Sequence, residues 1–95
     1  MVDMKEHDPN KAIDFILKNS KKFALAKANR VYLEEFRKSQ KAMLVIKAKV
    51  DGRAKSESAA ESEAYADPTY QQLLKGLQAA IEKEETLRYQ LVSAQ

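Results

Sequence analysis

DPNKAIDFILKNSKKFALAKANRVYLEEFRKSQKAMLVIKAKVDG, residues 8–52, reads as one long helix with a built-in start and stop. Asp8 is a strong N-cap, because its carboxylate accepts from backbone N–H groups that the first turn leaves unpaired. Pro9 suits the first helical position, where its missing N–H costs nothing. No Gly or Pro follows until Gly52, and Ala, Lys and Leu are frequent throughout,. Gly52, directly after Asp51, can take the left-handed conformation that closes a helix. At about 1.5 Å per residue such a helix is roughly 60 Å long. Everything downstream must fold back along it.

Beyond the stop lies RAKSESAAESEAYA, residues 53–66, which carries no large apolar side chain before Tyr65. Ala and Glu favour helix, Ser does not, and little here offers itself for burial. The expectation is a short solvent-facing helix or a mobile connector, ordered mainly where Tyr65 packs. Asp67-Pro68 then repeats the capping chemistry of Asp8-Pro9 and opens a final helix, from Pro68 to about Ala94,. Tyr70, Leu77 and Leu91 fall seven or fourteen residues apart. Leu73, Leu74, Ala80, Ile81, Leu87 and Val92 adjoin them in a wide apolar stripe,. Gly76 interrupts the stripe at a cost of about 1 kcal/mol against Ala, pointing to a close helix contact or to simple tolerance. The stripe runs to Val92 with no stop signal before Gln95, as it would at a simple helix end or in a shortened natural chain. Upstream of Asp8 the residues are polar and aperiodic, and His7, the single histidine, reads as part of a solvated end.

In the first helix, Phe36, Met43 and Val50 are seven apart, as are Leu25, Tyr32, Ser39 and Ile46. Together they form a heptad seam. Ser39 breaks it, and Ile13 to Phe23 stand out of register, so irregular helical packing is expected ahead of a strict two-stranded zipper. Phe36, Met43 and Ile46 are predicted to pack against Leu73, Leu77 and Leu87. Ala24, Ala26, Ala28 and Ala42 would let a neighbouring helix come close. The predicted fold is all-α: an elongated hairpin of two long helices (about 9–50 and 68–94) with a polar connector or short helix at 53–66. It forms one domain over residues 1–95.

Composition agrees. The 95 residues include two Gly, two Pro and no Trp, against a turn-rich β fold,. Without Cys there are no disulfides or thiolate metal sites,. No apolar run approaches the roughly 18 residues of a membrane span, and the N-terminus lacks a basic region followed by an apolar one. A soluble, cytoplasmic protein is expected. The net charge of +3 is unevenly spread. Residues 1–50 hold 12 Lys/Arg against 6 Asp/Glu, a balance of +6, and residues 51–95 hold 5 against 8, a balance of −3. A basic helix pairing with an acidic one accounts for this, and so does a basic face offered to a partner.

No catalytic motif emerges. Gly52 and Gly76 are isolated, so phosphate-cradling loops are absent. Nucleophilic triads lack Cys, and the single His7 lies in the frayed end. Glu61 with Glu63, or Glu82 with Glu84 and Glu85, have no imidazole to complete a metal site and read as solvated faces. Zinc modules, recognition-helix turns and aromatic strand platforms are missing too. The chain reads as a binding protein, with no enzyme activity and no cofactor. Phe15, Lys21, Lys22, Arg30, Arg37, Lys38 and Lys41 are the candidate partner contacts, the six cations being expected to face solvent. A pI near 9.1 argues against mimicry of DNA by a carboxylate face,.

Two runs carry a resemblance. KAIDFILKNSKKFALAKANRVYLEEFRKSQKAML (11–44) and EAYADPTYQQLLKGLQAAIEKEETLRYQL (63–91) are similar to small proteins of lambdoid-phage recombination regions, above all the anti-RecBCD family. The resemblance implies a phage protein that binds the host RecBCD helicase–nuclease through its RecC subunit and alters its response to Chi sites, sparing phage DNA. It supplies partners and no catalytic residue. The runner-up is a small basic recombination accessory whose first helix tracks DNA phosphates. Pro68 adds a further expectation. It sits in a polar segment between Tyr65 and Tyr70, where an aromatic-flanked X–Pro bond can populate cis. An exposed loop of Tyr65, Ala66, Asp67, Pro68 and Tyr70 is expected to offer itself to a host peptidyl-prolyl isomerase, the competing role of Pro68 being a trans helix opener.

Overall fold

A computed structural model describes residues 9–94. Among the described residues three helices follow one another: α1 (Pro9–Val50), α2 (Glu57–Ala66) and α3 (Pro68–Ala94). No strand occurs among the described residues. α1, about 63 Å long at 1.5 Å per residue, forms most of the length of a rod of 73 × 16 × 15 Å, and α2 and α3 return along it. The elongated all-α hairpin expected from the sequence is what forms. The Asp8 cap and His7 lie outside the described residues.

Local chemistry sets each boundary. After α1, Gly52 takes φ +75°, and the Gly52 and Arg53 amides donate to Lys49 O and Ala48 O at 3.1 and 3.0 Å. These bonds satisfy carbonyls that a helix end leaves open. Ser56 then caps α2, its Oγ accepting from the Ala59 amide at 3.1 Å. One residue, Asp67, separates α2 from α3, and its Oδ1 accepts from the Thr69 amide at 2.8 Å. Pro68 occupies the first position of α3 on a trans bond.

The connector takes the short-helix form of the expectation, with more of it buried than a solvent-facing segment would have. Residues 57–66 form a helix whose Ala60 and Ala64 are sealed from solvent, packed in one cluster with Val45, Ala48 and Ala54. Small side chains let α2 lie close against α1, so burial comes from proximity and not from side-chain size. Tyr65, expected to order the segment, is half exposed instead.

A second departure concerns the seam. On α3, Tyr70, Leu77, Ala80, Glu84 and Leu87 are buried, so Leu77 and Leu87 face the core as expected, with Leu73 half-buried. On α1 the inward face runs through Asn19, Phe23, Ala26, Arg30, Leu33 and Arg37, at alternating spacings of four and three, and continues with the buried or half-buried Leu44, Val45 and Ala48. Phe36, Met43 and Ile46, predicted to meet α3, are exposed. Of the four alanines read as approach points, only Ala26 is buried. The physical reason lies in α3, whose stripe includes a carboxylate and a phenol. These need polar partners when buried, and only the Arg30 and Arg37 face of α1 provides them.

Candidate protein-docking site

The hairpin is held in register by a polar ladder. Glu84 is 2 % exposed, and Arg30 grips it twice: Nε donates to Oε1 at 2.6 Å and Nη2 to Oε2 at 3.2 Å. Arg30 Nη1 also donates to Glu34 at 3.1 Å, and Arg88 lies 3.7 Å from Glu84. These hydrogen bonds, with the attraction of the cations, hold the Glu84 carboxyl below the usual carboxylate range,. Further along, Arg37 donates to Tyr70 Oη at 3.3 Å, and Lys41 Nζ donates to Tyr65 Oη at 2.6 Å. That bond holds the Lys41 ammonium above its usual value. Lys49 pairs with Glu57, and Arg53 lies 3.5 Å from Glu63. No buried side-chain nitrogen or oxygen among the described residues lacks a partner.

The ladder divides the candidate cations. Arg30, Arg37 and Lys41, expected to face solvent, are half-buried and engaged with α2 and α3. Arg30 and Arg37 are pieces of the fold, because burying a carboxylate or phenol of α3 requires a donor opposite, and Lys41 ties α1 to the half-exposed Tyr65 of α2. Lys21, Lys22 and Lys38 are exposed, Lys38 pairing with its neighbour Glu35 at 2.8 Å. Phe15 is exposed as well.

Phe15 and Lys22 come together at the open end of the hairpin. A cleft of about 940 Å³ opens there, with Phe15, Lys18 and Lys22 on its α1 wall and Thr86, Tyr89 and Gln90 on its α3 wall. Asn19 forms its floor, buried, with Nδ2 donating to Phe15 O at 2.8 Å and tying the turn that carries the phenyl ring. Tyr89 presents most of its ring to solvent opposite Phe15. Two exposed aromatics flanked by lysines suit an apolar or aromatic segment with acidic neighbours, the rings giving contact area and the ammonium groups orientation. Sequence reasoning missed Tyr89 and Asn19. Tyr89 lies beside the α3 stripe, and Asn19, a polar residue inside the out-of-register stretch Ile13 to Phe23, is part of the inward seam.

The 65–70 segment is not a loop. Tyr65 and Ala66 end α2, Pro68 and Tyr70 belong to α3, and Asp67 alone joins them. Tyr70 is the largest fully buried side chain, its ring 5.7 Å edge-on from Tyr65. Pro68 itself is exposed. Among the described residues no group of three or more His, Cys, Asp or Glu could hold a metal ion, and no helix is long and apolar enough to cross a membrane. Comparison with known protein families, with characterised proteins and with solved structures gives no match.

Proposed function

We propose that this chain is a docking protein that binds the host RecBCD helicase–nuclease through RecC, alters its nuclease action and Chi response, and so protects phage DNA. The observation behind it is the open-end cleft, where Phe15 and Tyr89 stand exposed with Lys18 and Lys22 beside them. Such a surface matches a protein partner better than a substrate, being open and rimmed by flexible cations. The choice of partner rests on the resemblance of residues 11–44 and 63–91, and both walls of the cleft come from those two runs.

The test uses purified RecBCD and the full chain. Wild type should co-elute with RecBCD and lower its nuclease activity, and Phe15→Ala/Tyr89→Ala should weaken binding tenfold or more while helicity stays intact. No binding by wild type would refute the partner. Equal binding by the double variant would move the site away from the cleft. An isomerase partner would grip Pro68 on its exposed side, and Pro68→Ala in a pull-down with a purified prolyl isomerase tests that contact.

The second reading is a DNA-binding accessory, favoured by the exposed Lys21, Lys22 and Lys27 on α1. It predicts a gel shift by the isolated protein with a steep salt dependence. Engagement of Arg30, Arg37 and Lys41 inside the hairpin leaves fewer cations for phosphates, and this weighs toward protein docking.

A further inference from the structure

α1 has two seams, and the hairpin uses one. The other consists of Leu25, Asn29, Tyr32, Phe36, Ser39, Met43, Ile46 and Val50, at strictly alternating spacings of four and three. No charged residue falls on it. Its six large apolar side chains are between 41 and 79 % exposed, and Tyr32 and Phe36 already pair on the surface with ring centroids 5.9 Å apart. At 3.6 residues per turn the seam lies about 130° around the helix from the stripe that meets α3. Taking roughly 150–200 Å² for a large side chain, it offers about 600–750 Å² of apolar surface. A monomer's largest patch is typically about 300–600 Å², and a standard interface takes about 800 Å² from each partner.

We infer that this outer seam binds a second copy of the same chain, α1 against α1, in antiparallel order. Heptad spacing is the pattern by which one helix packs along another, knob into hole. The antiparallel order follows from how the seam matches itself. Turned end for end, it sets Leu25 opposite Val50 of the second copy, Tyr32 opposite Met43, Phe36 opposite Ser39 and Asn29 opposite Ile46. The bulky Phe36 then meets the small Ser39 twice, once on each side of the two-fold axis, as an isologous contact requires. Parallel order would instead stack Phe36 on Phe36 and leave Ser39 facing Ser39. It would also bring Lys47 and Lys49 of both copies to one end. Antiparallel order puts those lysines beside Ala26 and Ala28 and opposes the two helix dipoles favourably. The seam begins at Leu25, so the cleft formed by Phe15, Lys18 and Lys22 stays open and the pairing does not depend on RecBCD binding.

The full chain in sedimentation equilibrium should show a species of twice 10.8 kDa that dissociates on dilution. Met43→Glu should return the mass to 10.8 kDa with helicity by circular dichroism unchanged. Should Met43→Glu lose helicity, Tyr32→Gln on the facing layer decides in the same way. The absence of Cys in the chain makes the order readable by cross-linking. Leu25→Cys/Val50→Cys should form a disulfide-linked dimer under mild oxidation, and Leu25→Cys alone should not. In antiparallel order the two thiols introduced at position 25 are about 37 Å apart along the axis, far beyond disulfide reach. A monomer at every concentration, or a dimer untouched by both seam variants, overturns the pairing. Cross-linking by Leu25→Cys alone overturns its order.

Discussion

At the scale of single residues, Glu84 carries the most specific information in the fold. A buried carboxylate is tolerated only where cations and hydrogen bonds replace water, and Arg30 supplies both from the far helix,. The pair can form in one alignment of α1 and α3 only, so it sets the register of the hairpin as well as the charge balance. Its pH dependence has a definite sign. The folded carboxyl titrates below its unfolded value of about 4.3,. Its contribution is fully present above that value and is lost as pH falls through the folded one. Acid melts should show stability dropping below about pH 4. Glu84→Gln should be less stable at neutral pH and lose less of its stability on acidification. An acid profile identical in the two proteins would remove Glu84 from that role. Glycine gives the opposite kind of prediction. Gly76 lies exposed in mid-helix with open space where a Cβ would go, so its expected role narrows from close contact to tolerance. Gly76→Ala should raise stability by about 0.5–1 kcal/mol. Gly52, at φ +75°, should lose about 1 kcal/mol on the same change,. Thermal melts of the two variants should move in opposite directions.

Among the elements, α2 tests how a core forms without large side chains. Its Ala60 is fully buried against Val45 and Ala48 of α1. Overpacking such a site forces backbone movement, so Ala60→Leu should cost about 1–3 kcal/mol. Ala59→Leu on the exposed face should change little. Equal melts for the two would mean that α2 does not pack. Elements were largely legible in the sequence because their boundaries are local chemistry. Asp67-Pro68 and Asp51-Gly52 mark ends that need no tertiary contact to be read. Pairing was less legible. The α3 stripe could be read from Tyr70, Leu77 and Leu91, yet the skipped position between the last two is Glu84. A carboxylate at a heptad position was the available sign that its partner face on α1 must be basic. Apolar content pointed to Phe36 and Met43 instead, since hydrophobic periodicity shows that a face is apolar and not which neighbour covers it. The cleft was half legible for the same reason. Phe15 and Lys22 stood out on one helix, while Tyr89 gains meaning only when α3 is laid beside them.

For the whole molecule, shape and stability are linked. The Cα radius of gyration is 21.1 Å, against about 12 Å for a compact domain of this length,. A rod this thin buries little per residue: besides Tyr70, the buried apolar side chains among the described residues are Val45, two leucines and six alanines. Its stability should be modest, and any partner that binds the folded form alone should raise it by mass action. A second copy on the outer seam acts in this way. The melting temperature of wild type should rise with protein concentration, while that of Met43→Glu should stay constant. Small-angle scattering of Met43→Glu should give a radius of gyration near 21.1 Å at all concentrations, with wild type larger where it pairs. A concentration-independent melt for wild type, joined to a scattering radius of about 12 Å, would contradict the extended hairpin and its outer seam together. A concentration-independent melt with a radius near 21.1 Å would keep the hairpin and remove the pairing.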